Sequence, residues 1–325
     1  MRTSTNILTK RISVLAAMLV ALLFRSGDAT AQIFVTNVYG TPQTLDGSVG
    51  EYNLDGTTVN SALIPSGLKG PIDIVATNNN LFVLNSGGEF IGSVNRYTIS
   101  GAPVNVPLIS RALPRAGTIF GENLYITNAG SVSLYSTTGT AVNTSLVSGL
   151  ASPYGIAISG DGARLFVSDF DDNIVGEYDA ATGMTINAAL ITGLSNPTGI
   201  TISGTSLYVA NSGTGIVGKY NLDGTPVNTS LVTGLSNPLD VAVLGGDLFA
   251  VNNGNNSVGE YDAATGSAIN PSLITGLVNP QGIAVVPEPS TFALSLFGAI
   301  CIPTFVRAYA YISRLRRCAA ASWLR

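Results

Sequence analysis

The sequence predicts an all-β chain, a closed ring of six four-stranded blades, and three recurring features predict it. An aromatic residue followed by apolar residues and then Asn or Asp appears as FVTN at Phe34, FVLN at Phe82, YITN at Tyr125, FVSD at Phe166, YVAN at Tyr208 and FAVN at Phe249. The spacings are 48, 43, 41, 42 and 41 residues. A tyrosine, usually preceded by Gly and a charged residue, recurs at Tyr52, Tyr97, Tyr135, Tyr178, Tyr220 and Tyr261. Gly-Leu-x-x-Pro leads into a short apolar run at Pro71, Pro153, Pro197, Pro238 and Pro280, with a degraded copy at Pro114. Four short strands in roughly 42 residues, repeated at a fixed period, are the signature of a β-propeller blade.

Within a repeat the strands follow in order. The run after the proline (IDIVA, YGIAI, TGITI, LDVAV, QGIAV) is the first, the aromatic segment the second and the Gly-x-Tyr segment the third. The segment before the next Gly-Leu, such as Ser230-Leu231-Val232, is the fourth. Turns such as Asn53-Leu54-Asp55-Gly56 and Asp262-Ala263-Ala264-Thr265-Gly266 separate them, since glycine accepts positive φ without a steric penalty. The first aromatic strand, at Ile33 to Asn37, lacks a first strand before it, and the last first strand, residues 282–285, lacks an aromatic strand after it. Each supplies the other's missing partner, so 282–285 is expected to close the ring as the inner strand of the first blade, leaving no open edge. An open β-solenoid on the same repeat is the structural alternative, but it would want capping repeats and would not need complementary ends.

In strand pattern and in the Pro-x-Gly-Ile-Ala start, residues 32–285 resemble NHL-type and YVTN-type propeller repeats. Relatives on such rings include binding scaffolds, calcium-dependent lactonases and other hydrolases, and lyases, so the resemblance implies the fold without choosing a function.

The two ends of the chain read as export signals. Arg2, Lys10 and Arg11 precede the apolar run ISVLAAMLVALLF (residues 12–24), and Ala29-Thr30-Ala31 follows a short polar stretch. A positive start, a short apolar stretch and small residues at a cleavage site make residues 1–31 an expected secretory signal peptide. The apolar run falls short of the roughly 20 residues of a membrane-spanning helix.

Residues 286–325 hold Val286-Pro287-Glu288-Pro289-Ser290-Thr291, an apolar run from Phe292, then Arg307, Arg314, Arg316 and Arg317. This order of a Pro-Glu-Pro motif, one membrane helix (about 292–312) and a basic tail (314–325) resembles the PEP-CTERM proteins of Gram-negative bacteria. The resemblance implies that Pro287, Glu288 and Pro289 form a sorting signal read by an exosortase, a membrane protease. The protein would then cross the inner membrane, be anchored transiently by its C-terminal helix, and pass to the cell surface or matrix. The prolines would keep the motif extended, and the arginines would hold the far end in the cytoplasm.

Composition limits the chemistry. The chain has 325 residues, 37 glycines and no histidine, which removes imidazole bases, Ser-His-Asp and Cys-His hydrolysis, and His-ligated metals. Both cysteines, Cys301 and Cys318, lie beyond the repeats, so the body has no thiol chemistry. Residues 32–285 hold six cations against 17 acids, a net charge of −11 that repels phosphate backbones and argues against nucleic-acid binding. No catalytic residues stand out.

The sites worth testing are those where one blade breaks the repeat. Where other blades carry Gly155, Gly199 and Gly282, blades 2 and 6 carry Asp73 and Asp240. Both blades flank the closing blade, so both carboxylates are expected at the channel mouth, with Asn37, Asn85 or Asn252 nearby as further oxygen ligands for calcium. The ring of second-strand Asn and Asp residues has a plainer reading, as partners of loop backbone groups. A second acidic group, Asp169, Asp171 and Asp172, lacks the glycine and distal glutamate of an EF-hand and reads as a hairpin loop. Two functions follow. One is an exported, non-catalytic binding or structural protein of the cell surface or exopolysaccharide (biofilm) matrix, with polysaccharide or other surface proteins as partners. The alternative is a calcium-dependent lactonase-like hydrolase using acids at the propeller mouth. Near-equivalent blades with few unique polar residues favour the first.

Overall fold

A computed structural model describes residues 31–39, 46–87 and 92–287. The expected signal peptide before Ala31, and Glu288, Pro289, Arg307, Arg314, Arg316 and Arg317, lie outside the described residues. Among the described residues no helix is long and apolar enough to cross a membrane. The one helical element among them is a single 3-10 turn, Asn253–Asn255.

The described residues form six four-stranded antiparallel sheets, each running inner to outer in chain order except the first. The inner strands of blades 2 to 6 are Pro71–Ala76, Gly117–Phe120, Pro153–Ile158, Pro197–Ser203 and Pro238–Leu244. The inner strand of blade 1 is Pro280–Val286, drawn from the end of the repeats and paired with Gln32–Tyr39. Ile33 faces Val285, Phe34 faces Ala284 and Val35 faces Ile283. The ring closes through the two ends of the repeat array, as their complementary losses required, and the solenoid alternative is excluded.

The core lies between blades. Six apolar clusters occur, one at each blade interface. Because side chains alternate along a strand, Ile33 and Val35 pack against Phe249 and Val251 of blade 6, while Phe34 packs against Ile74, Leu81 and Val83 of blade 2. The aromatic residue of every second strand is buried, Phe34, Phe82, Phe166 and Phe249 almost completely and Tyr125 and Tyr208 to 3% exposure. Each such ring contributes roughly 2–3 kcal/mol of burial.

The Gly-Glu-Tyr motif also has a packing cause. The Tyr178 ring folds back over Gly176, so that a β-carbon there would lie 2.6 Å from the phenolic oxygen. Gly50 under Tyr52 and Gly259 under Tyr261 repeat the arrangement. Blade 2 solves it differently, with Asn95 in place of glycine donating a weak 3.4 Å hydrogen bond to the Tyr97 oxygen.

Candidate functional site

The inner strands run in the same direction along a central channel, so residues at one repeat position form one tier. The tier two residues after the repeat's proline holds Asp73, Ala116, Gly155, Gly199, Asp240 and Gly282. Beyond it the channel widens into a cavity of about 520 Å³, lined mainly by the Ile, Val, Ala, Gly and Thr of the inner strands. Thr118, Ser159 and Thr201 add hydroxyls to this lining, and Asp73 and Asp240 stand at its edge.

Buried polar side chains stitch the blades together at this tier. In blade 4 the Ser168 hydroxyl accepts the Gly155 amide at 2.7 Å and donates to the Thr198 carbonyl of blade 5 at 2.6 Å. In blade 3 the Thr127 hydroxyl accepts the Ala116 amide at 2.9 Å and donates to the Tyr154 carbonyl of blade 4 at 2.8 Å. Thr198 carries the next link, donating to the Pro238 carbonyl of blade 6 at 2.9 Å. Blades 2 and 6 have Leu84 and Val251 where blades 3 and 4 have the hydroxyl, and each of these apolar residues pairs directly with an aspartate, Asp73 or Asp240. Asp73 Oδ2 accepts the Gly117 amide of blade 3 at 2.8 Å, and Asp240 Oδ2 accepts the Ile283 amide of blade 1 at 2.9 Å. Their other oxygens accept the amides of Ile74 and Val241 at 2.7 and 2.8 Å. The aspartates thus replace the missing hydroxyls as blade-to-blade links.

The two carboxylates also converge. Asp73 lies against Gly282, where a β-carbon would stand 2.6 Å from the Asp73 Cα, and Asp240 lies against Gly199 at the same 2.6 Å. Burial raises the Asp73 carboxyl to about 6, against the pull of the Gly117 and Ile74 amides. Burial also pushes Asp240 well above the usual carboxylate range, and the neighbouring Asp73 charge adds to it. Both carboxyls therefore keep a proton to higher pH than an ordinary aspartate.

Of the asparagines proposed as companion ligands, Asn37 has its oxygen engaged elsewhere, whereas Asn85 and Asn252 do not. Asn37 Oδ1 accepts the Val278 amide at 3.2 Å, and its amide nitrogen donates to the Val35 carbonyl at 3.5 Å. Asn85 donates to the Val83 carbonyl at 3.2 Å, and its Oδ1, like that of Asn252, is buried without a hydrogen-bond donor. Asp169 accepts the Ala151 and Ser152 amides of the adjacent loop at 2.8 and 2.9 Å, as a loop-bracing residue should. Among the described residues no group of three or more His, Cys, Asp and Glu side chains could hold a metal ion. Asp73 and Asp240 offer four oxygens, each already accepting an amide, toward the six to eight that calcium takes.

Two further residues stand on the loop side of the carboxylates. A narrow passage of about 20 Å³ touches Asp73, Asp240, Arg115, Tyr154 and Gln281 together. The Arg115 guanidinium lies over the Tyr154 ring, 5.3 Å from its centroid, and Phe170 packs beside the same ring at 5.8 Å. Burial raises the Tyr154 phenol, Arg115 draws it down, and Asp240 and Asp73 push it up. Sequence reading missed this pair. The signal was the residue immediately after each proline, which is Ile72, Arg115, Tyr154, Thr198, Leu239 and Gln281 around the ring, the most varied position of the repeat.

Neither a protein-family model nor a curated protein matches the chain. Solved structures do. A chain from a nidogen/laminin complex aligns with a TM-score of 0.63 at 17% identity, over 79% of this chain and 99% of that one. A Bacteroides uniformis protein provisionally named a 6-phosphogluconolactonase aligns with a TM-score of 0.58 at 13% identity, over 79% and 99%. A Bacteroides fragilis protein with the same provisional name aligns with a TM-score of 0.56 at 13% identity, over 80% and 99%. At these identities the likeness is one of fold.

Proposed function

We propose that the protein is an exported, non-catalytic propeller that acts as a binding or structural component of the cell surface or exopolysaccharide matrix. One observation carries this reading: the carboxylates that distinguish blades 2 and 6 replace the hydroxyls of other blades as links between inner strands, so the ring's most conspicuous polar residues serve its architecture. Most of what remains along the channel is Ile, Val, Ala and Gly of near-equivalent strands, with Thr118, Ser159 and Thr201 as its hydroxyls and Ser159 held by Asp161 at 2.5 Å. The signal peptide directs the chain across the inner membrane, and the Pro287-Glu288-Pro289 segment hands it to an exosortase. The test is localisation in the native host of the intact chain and of a variant with Pro287, Glu288 and Pro289 replaced by alanine, together with retention of the purified protein on isolated matrix. Surface or matrix location of the intact chain, lost in the variant, and retention on the matrix are expected. Identical distribution of both, with no retention, would overturn the reading.

A second reading, a calcium-dependent lactonase-like hydrolase, draws on the convergence of Asp73 and Asp240 and on the fold shared with the provisionally named lactonases. It requires that calcium raise the melting temperature, that EDTA lower it, and that the purified protein open lactones. A melting curve indifferent to both reagents removes it.

A further inference from the structure

We infer that Arg115 and Tyr154 form a binding site for a carboxylate-bearing sugar at the mouth of the channel. The inference rests on the binding-protein reading and gives its ligand a chemical class.

The five cations of the body whose side chains are described differ in what they hold. Lys69 pairs with Asp46, and Arg164 pairs with Glu177 at 3.0 Å. Arg96 donates to Asn80 Oδ1 at 3.0 Å, and Lys219 to the Ala263 carbonyl at 3.1 Å. Arg115 is half-buried and stacked on Tyr154, and among the described residues its guanidinium has no hydrogen-bond acceptor and no carboxylate partner. A guanidinium carries five N–H donors in one plane. Stacking occupies its face and leaves that plane of donors free at the edge. Those donors are open to an anionic ligand.

A cavity of about 320 Å³ opens beside it, lined by Ile72, Ser86, Leu113, Pro114 and Ala129 together with Arg115 and Tyr154. The volume lies at the small end of ligand pockets and has room for one or two sugar rings. Its walls are apolar apart from the cation, the phenol and the Ser86 hydroxyl. That hydroxyl donates to the Gly70 carbonyl at 3.1 Å, so its lone pairs can accept from a ligand hydroxyl. The planar fork of the arginine matches a carboxylate in two parallel hydrogen bonds. One cation balances one negative charge, whereas a phosphate dianion would face the acidic body with half its charge unmet. The apolar walls suit the C–H faces of a pyranose. A single uronic acid unit satisfies all three features.

The position is also where the ring departs furthest from its repeat. Arg and Tyr occupy equivalent places in the adjacent blades 3 and 4, where other blades have Ile72, Thr198, Leu239 and Gln281. Neither residue is needed for the blade links, in which only their backbone atoms take part. Asp73 and Asp240 lie on the channel side of Tyr154 and do not line the cavity, so the anion meets the cation first.

The test titrates the purified protein with galacturonate, an oligogalacturonate and a neutral oligogalactan, in low and moderate salt, for wild type, Arg115→Gln and Arg115→Lys. Binding of the uronates, weakened about ten- to hundredfold in Arg115→Gln, less in Arg115→Lys, and weakened by salt, is expected. Tighter binding of the oligomer than of the monomer identifies a polysaccharide as the source; equal binding identifies a free sugar acid. Melting of Arg115→Gln close to wild type shows that the loss is one of recognition. Uronate binding unchanged in Arg115→Gln overturns the site. Retention on matrix polysaccharide that is equal for neutral and acidic ligands and for wild type and Arg115→Gln also overturns it, while leaving the binding-protein reading intact. No retention on any matrix fraction brings down that reading as well.

Discussion

The carboxylate of Asp240 accepts the amide of Ile283 at 2.9 Å, and this bond ties the last blade to the strand that closes the ring. Asp73 makes the corresponding bond to Gly117 between blades 2 and 3. Both acids are buried close to one another with no cation among the described residues bonded to either, which raises both above their ordinary range, Asp73 to about 6. A carboxyl raised in the folded state binds its proton more tightly there than in the unfolded chain. Its stabilising contribution is present below the unfolded value near 4 and is lost as pH rises through the folded one. Asp55, Asp179, Asp223 and Asp262 work in the opposite sense. Hydrogen bonds from the side chains of neighbouring threonines lower them, so what they contribute is lost as pH falls below about 4. Above pH 4.5 the buried pair titrates alongside Glu51 and Glu260, which burial also raises, so the aspartate variants and not the slope alone assign the effect. Thermal melts should show a lower melting temperature at pH 7.5 than at pH 5, by several degrees, and either Asp73→Asn or Asp240→Asn should flatten the slope. A melting temperature independent of pH across this range would contradict the assignment.

The Gly-x-Tyr packing makes glycine 176 intolerant of a methyl group. Its β-carbon would meet the Tyr178 oxygen at 2.6 Å and Cε2 at 2.9 Å, and the ring is buried in the cluster between blades 3 and 4. Since neither atom belongs to the free end of a flexible chain, Gly176→Ala should cost about 1–3 kcal/mol in urea unfolding through overpacking. A cost near zero would mean that Tyr178 has another place to go.

Ring closure by residues 280–286 makes the end of the repeats indispensable. A chain stopped after Asn279 loses the partner of Ile33, Phe34 and Val35, removes Ile283 from the cluster between blades 6 and 1, and leaves the Thr36 hydroxyl without its 2.8 Å bond from the Gly282 amide. It should fail to unfold cooperatively and should expose an aggregating edge. A chain stopped after Pro287 should melt as the full body does. A synthetic peptide covering 280–287, added to the shorter chain, should restore part of the transition.

The fold was legible because its determinants are periodic. Phe34, Phe82, Tyr125, Phe166, Tyr208 and Phe249 recur at a nearly fixed interval, and the unmatched strands at Ile33 and Gly282 pointed to each other. Asp73 and Asp240 were legible as exceptions to a glycine position. What they do was not, because it depends on Leu84 and Val251 across the strand pair, about ten residues away in sequence, and on the amides of the next blade. Thr36, Thr127 and Ser168 were visible as the third letter of the FVTN, YITN and FVSD segments, but at a buried position they read as small strand residues. Their hydrogen bonds reach atoms 27 to 246 residues away; those of Thr127 and Ser168 appear only when blades are adjacent, and that of Thr36 only when the chain's last strand closes blade 1. Arg115 and Tyr154 were hidden for the opposite reason: a position that varies in every repeat has no pattern from which to deviate.

The exchange between hydroxyl and aspartate can be tested by moving it. In blade 4 the Gly155 position faces Ser168, and a β-carbon there would lie 2.9 Å from the Ile200 amide of blade 5, the counterpart of the blade-1 amide that Asp240 reaches from blade 6. Ser168→Val alone leaves the Gly155 amide and Thr198 carbonyl without their buried partner and should cost about 1–3 kcal/mol. Gly155→Asp alone drives a β-carbon into the Thr198 carbonyl oxygen and a carboxyl against the Ser168 hydroxyl, and should also destabilise. Together they recreate the Asp240–Val251 pairing, with the new carboxyl directed at Ile200. Measured at pH 5, where the carboxyls repel least, the double variant should be more stable than the sum of the singles predicts by about 1 kcal/mol or more. Strict additivity would show that the aspartates of blades 2 and 6 are not substitutes for the hydroxyls, and would return Asp73 and Asp240 to the search for a ligand.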